Sequence, residues 1–112
     1  MRSTRQQLPT ISHLQFLALG VLLAEEQPGR IIRDAVAEFG ARRTVAAFYQ
    51  LMSRLERDGL VEGWYEQIRV HDQSVTERRY RITAKGAKAW SQTRAFYETV
   101  ALAAGQGRWS NA

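Results

Sequence analysis

Between Thr44 and Val61 the chain reads TVAAFYQLMSRLERDGLV, and this stretch restricts the possible folds more than any other. At about 100° per residue, Val45, Leu51, Met52 and Leu55 fall within roughly 60° of Phe48, so one face of a helix is apolar and must be buried. The opposite face carries Ala46, Gln50, Ser53, Arg54 and Arg57. Small side chains let a helix backbone approach a DNA groove, while Gln and Arg reach base edges or phosphates. Thr44 is placed to cap this helix, Asp58-Gly59 to stop it, and Leu60-Val61 to begin a strand at once. Amphipathic helices ending in glycine also occur in small domains with no nucleic-acid role, so the surrounding chain has to decide.

Charge decides part of it. The net charge is +5, and it is not spread evenly. Residues 1–41 and 95–112 are each balanced, whereas residues 42–94 hold eleven basic side chains against six acidic ones. A one-sided excess within a single segment points to a polyanionic partner. The 112 residues support one domain with a modest core. The absence of cysteine fits a reducing compartment and excludes disulfides and thiolate zinc sites. The opening MRSTRQQLPTISH lacks an apolar signal core, and the longest apolar run, Phe16 to Ala24, is too short to span a bilayer. A soluble cytoplasmic protein with no membrane partner is expected.

Taken in order, residues 1–11 read as a flexible tail. Ser12 with Gln15 forms a capping box, opening a helix from His13 to Ala24 that is apolar on nearly every side. Glu25 to Gly29 reads as a turn. A second helix follows, with Ile31, Ile32, Ala35, Val36 and Phe39 on one face and Gly40 as its stop. Only Ala41, Arg42 and Arg43 separate that stop from Thr44, the tight link that a helix-turn-helix requires and that helical hairpins share. Val61 to Val70 favours strand, His71 to Ser74 a hairpin turn, and Val75 to Ile82 a returning strand that places Tyr80, Ile82 and Val61 inward. The ribbon tip is expected to present Arg69, His71, Arg78 and Arg79. Thr83 caps a last helix, Ala84 to Ala104, closed by Gly105, with residues 105–112 as a loose tail. Its stripe of Trp90, Thr93, Tyr97, Val100 and Ala104, with Phe96 beside it, exceeds what one small subunit can cover, so a homodimer is expected. The alternative is that this helix packs back on the first one. The expected fold is mainly α with a small β-hairpin: a winged helix-turn-helix domain over 1–82 and a C-terminal dimerisation helix over 83–104.

The segments ALGVLLAEEQPG, RIIRDAVAEF, AFYQLMSRLERDGLV and ERRYRITAKGAKAW resemble the PadR-like transcriptional regulators from about Leu14 to Trp90. Phe48-Tyr49, the run Leu55-Glu56 to Gly59-Leu60-Val61, and Arg78-Arg79-Tyr80-Arg81-Ile82-Thr83 with Gly86 match that family's third helix and wing. Ala47 and Gln50 depart from its usual Thr and Pro, and Pro28-Gly29-Arg30 keeps only the glycine of its usual His-Gly-Tyr. The resemblance implies a homodimeric winged-helix repressor whose ligands are often aromatic small molecules.

These readings converge on a sequence-specific regulator bound to near-palindromic double-stranded DNA. Gln50, Ser53 and Arg54 are assigned to the groove, Arg42, Arg43, Thr44 and Tyr49 to phosphates, and Arg78 and Arg79 to wing contacts. The plainer reading makes Arg54 a surface ion-pair partner and Tyr49 a core-edge aromatic. Trp90, Phe96, Tyr97 and Val100 are candidates for the dimer interface or a site for an aromatic effector. A winged-helix protein-interaction module without DNA binding is the alternative function. No enzyme, cofactor or metal is expected, because His13 and His71 belong to no nucleophile or metal spacing and no glycine-rich phosphate loop is present.

Overall fold

The computed structural model describes residues 8–110, so residues 1–7 of the expected tail, and 111–112 at the other end, lie outside the described residues. Ile11, counted with that tail, is instead buried in the core. The elements are α1 (His13–Val21), β1 (Gln27–Pro28), α2 (Gly29–Glu38), α3 (Val45–Arg57), β2 (Val61–Val70), β3 (Gln73–Ile82) and α4 (Ala84–Gly105).

Local chemistry sets most of these boundaries. Ser12 Oγ accepts from Gln15 N at 3.1 Å and Ser12 N donates to Gln15 Oε1 at 2.9 Å, completing the capping box. Thr44 and Thr83 cap α3 and α4, accepting from Ala47 N and Gly86 N. Helices α2 and α3 both close in the same way. Gly40 and Gly59 take positive φ, and Ala41 N and Leu60 N donate back to Val36 and Leu55 carbonyls at 3.1 and 2.9 Å. That closure carries Leu60 into the core immediately after α3.

Helix α4 runs through Gly105, its expected stop, and Gly107 takes the positive φ instead, with Arg108 N donating to Ala103 O at 3.1 Å. Val45, expected on the buried face of α3, is exposed at the first position of the helix. The structure differs from the sequence reading elsewhere too. Helix α1 ends at Val21 rather than Ala24, because the chain must extend so that Gln27 and Pro28 can pair with Tyr80 and Arg79. That pairing makes the hairpin a three-stranded antiparallel sheet, ordered β1-β3-β2. Phe39, assigned to the buried face of α2, caps the helix and is 72% exposed. The hairpin turn is shorter than expected: His71 and Asp72, both at positive φ, form a two-residue turn, and β3 begins at Gln73.

The core joins Ala18, Leu19 and Leu22 of the α1 region to Ile32 and Val36 of α2 and to Phe48, Met52 and Leu55 of α3. Val61 and Tyr80 close it from the sheet. Above that base the wing stands clear, with residues 65–67 and 69–76 exposed. No helix among the described residues is long and apolar enough to cross a membrane.

Candidate nucleic-acid interface

Helix α3 stands as a ridge between two grooves. On one side a cleft of about 370 Å³ is lined by Thr10 and Ser12 at the start of α1 and by Arg43, Gln50 and Arg54. On the other, a groove of about 710 Å³ runs between α3 and the wing, lined by Tyr49 and Ser53 together with Arg30, Tyr65, Thr76 and Arg78. The side chains assigned to the groove and to phosphates therefore divide. Arg43, Gln50 and Arg54 face the α1 side, and Tyr49 and Ser53 face the wing.

The charges divide as well. Arg42, Arg43 and Arg54 are exposed and make no ion pair among the described residues. Arg57 lies 3.6 Å from Asp58. A guanidinium neutralised by a neighbouring carboxylate contributes little outward field, so the uncompensated charge at α3 comes from Arg42, Arg43 and Arg54. Tyr49 is half-buried, edge-on to Phe48 at 5.1 Å, with its hydroxyl against Gly29, where a Cβ would come within 2.7 Å. It combines the core-edge and groove-facing readings.

Arg78 and Arg79 are not at the wing tip. Strand register sets them opposite Tyr65 and Trp64, whereas the tip consists of Val70 to Gln73 with Arg69 beside it. Arg78 Nη2 donates to both carboxylate oxygens of Glu56 at 2.8 Å, and its guanidinium lies 4.6 Å from the Tyr65 ring centroid. The Glu56 hydrogen bond raises the Arg78 pKa further above its usual value. Arg79 faces the other side of the sheet, 2.9 Å from Glu77 and 3.5 Å from both Glu26 and Glu66. The sequence offers Glu56 as a surface partner of Arg54 or Arg57, whereas it pairs with Arg78, and Arg30, which lines the larger groove beside Thr76, was missed. Glu77, two residues before Arg79 on the same strand face, was legible as a partner, whereas Glu56 lies 22 residues from Arg78.

Helix α4 is divided too. Trp90 stacks on Phe16 of α1, with centroids 5.1 Å apart and planes 6° from parallel, and it closes over Gly20. The first half of α4 thus packs back on α1, the alternative weighed from the sequence. Arg94 sits 5.9 Å from the Trp90 ring centroid. Thr93 is buried, donating to Ala89 O at 2.7 Å. Beyond it, Tyr97, Val100 and Leu102 are exposed, with half-buried Phe96 edge-on to Tyr97. Among the described residues no group of His, Cys, Asp or Glu side chains could hold a metal ion.

A tight helix pair, a second helix exposed along one face, and a hairpin beside it define a winged helix-turn-helix. With its long closing helix, the fold is similar to that of solved PadR-like transcriptional regulators. A PadR family transcription regulator from Clostridium difficile superposes with a TM-score of 0.72 at 16% identity, over 85% of this chain and 97% of that one. A PadR family regulator from Eggerthella lenta does so with a TM-score of 0.60 at 24% identity, over 88% of each chain. Bacillus subtilis PadR, solved in complex with operator DNA, matches with a TM-score of 0.58 at 17% identity, over 71% of this chain and 45% of that one. No protein-family model and no curated protein sequence matches the chain.

Proposed function

We propose that this protein is a sequence-specific DNA-binding transcriptional regulator, acting in the cytoplasm as a homodimer. Two α3 ridges enter major grooves at half-sites about one helical turn apart, so the operator is near-palindromic. The observation that carries this reading is the α3 ridge, with Gln50 and Arg54 exposed and unpaired among the described residues on the helix that the fold leaves projecting, and Arg43 likewise just before its cap. A protein of the same fold solved on operator DNA supports it.

In this reading Gln50, Ser53 and Arg54 meet base edges, while Arg42, Arg43, Thr44 and Tyr49 hold phosphates. Arg69, near the wing tip, takes the outer contact first assigned to Arg78 and Arg79, whose guanidiniums are already held by carboxylates. The exposed second half of α4 pairs with a second copy. Repression, relieved by an aromatic small molecule near Phe96, Tyr97 and Val100, completes the reading and follows the family resemblance. Trp90 is left out of that effector site because Phe16 occupies one face of its ring and Arg94 lies over the ring.

Selection of bound sequences from a random duplex pool tests the proposal. The expected result is a two-fold symmetric motif whose affinity falls steeply with salt. No enrichment, or weak binding indifferent to sequence, would overturn it in favour of a winged-helix module that binds protein.

A further inference from the structure

We infer that the Glu56–Arg78 pair is a clamp that sets the angle between the wing and the recognition helix, making both side chains positioning residues for DNA binding rather than contacts to it. The inference rests on the proposed DNA-binding role. Among the described residues this is the one side-chain hydrogen bond between α3 and the wing, and it uses both carboxylate oxygens at 2.8 Å. Tyr65 holds the guanidinium from above at 4.6 Å, and the Tyr80 ring lies 5.7 Å away. Gly63 completes the device. A Cβ there would come 2.8 Å from Arg78 Nη2 and 2.9 Å from Glu56 Oε1, so the pair occupies the space that a side chain would fill.

Geometry shows why the angle matters. The clamp sits at the Tyr65–Arg78 register, five residues below the Val70–Gln73 end of the ribbon, a lever of roughly 17 Å. A rotation of about 10° at the clamp displaces the tip by roughly 3 Å, as much as the full length of a hydrogen bond. The wing's other ion pairs to the body, Arg79 to Glu26 and Arg30 to Glu77, are 3.5 Å contacts to the chain before β1 and to α2, on the side where β1 pairs with β3. They leave the α3 side to this pair.

The sign of one mutation separates this idea from simple electrostatics. Removing a carboxylate beside a polyanion-binding face should strengthen DNA binding if charge alone counts. The clamp requires the opposite. Glu56→Ala and Gly63→Ala, the latter with both charges kept, should each weaken binding of the selected operator about tenfold. Arg78→Ala should do the same without changing the slope of log affinity against log salt, whereas loss of a phosphate contact would lower that slope by about 0.9. The Glu56→Ala, Arg78→Ala double variant should lose no more than either single one. Folding is checked by circular dichroism, and if Glu56→Ala or Arg78→Ala unfolds, Glu56→Gln and Gly63→Ala carry the same comparison. If the parent binds operator while Glu56→Gln and Gly63→Ala bind as tightly or tighter, the clamp is overturned and DNA binding stands. A parent chain that binds no duplex overturns both.

Discussion

Tyr80 joins packing to charge at a single position. Its side chain is 2% exposed, and burial pushes the phenol up to about 12 against the opposing pull of the Arg78 guanidinium. Because the folded value exceeds the ordinary value near 10, the stability contributed by the neutral phenol is fully present below about pH 10. It is lost as pH rises through the folded value of about 12. Thermal unfolding followed across that window should show a steep loss in the parent and a shallower one in Tyr80→Phe. Equal slopes would disprove the assignment. At the recognition face, Arg43→Ala should lower the salt slope of operator binding by about 0.9, while Arg54→Ala should cost about 1–3 kcal/mol and relax preference at one base position. Exposure of Gln50 and Arg54 was legible from helical spacing alone. The occupation of Arg78 was not, because Glu56 reaches it only across the tertiary fold; Arg79 has Glu77 two residues away, but Glu26 and Glu66 join it only in the folded chain.

Elements that terminate through local chemistry follow their sequence closely. Thr44→Ala should destabilise α3 by about 1 kcal/mol in urea unfolding, since its hydroxyl accepts from Ala47 N at 3.1 Å. The wing turn holds His71 and Asp72 at φ of 51° and 64°, a strain that Asn-Gly would relieve. His71→Asn with Asp72→Gly should therefore raise stability by about 1 kcal/mol, and a fall in the urea midpoint would refute the turn geometry. Strand β1 escaped sequence reading because two residues carry no periodicity and Pro28 resembles a turn residue. What makes it a strand is β3 lying alongside, with Gln27 opposite Tyr80.

The whole molecule is extended, with principal dimensions of 67 × 33 × 23 Å. Its radius of gyration of 17.6 Å exceeds the roughly 13 Å of a compact domain of this length. The wing and the second half of α4 account for the difference in shape. Leu102 is 63% exposed and Tyr97 52%, an apolar surface that fits the proposed second copy. Val100→Glu with Leu102→Glu should shift sedimentation from dimer to monomer while leaving helicity intact; a persistent dimer would place the interface elsewhere. Sequence by itself determined the caps Ser12, Thr44 and Thr83, the glycine stops of α2 and α3, most of the buried stripe of α3, though Val45 at its start is exposed, and the succession of three helices, hairpin and long helix, because these depend on residues within a few positions of one another. Tertiary structure alone decided which arginines stay unpaired, that Trp90 turns inward onto Phe16, and that α3 separates two grooves. Those outcomes depend on distances between residues remote in the chain, and no local pattern encodes them.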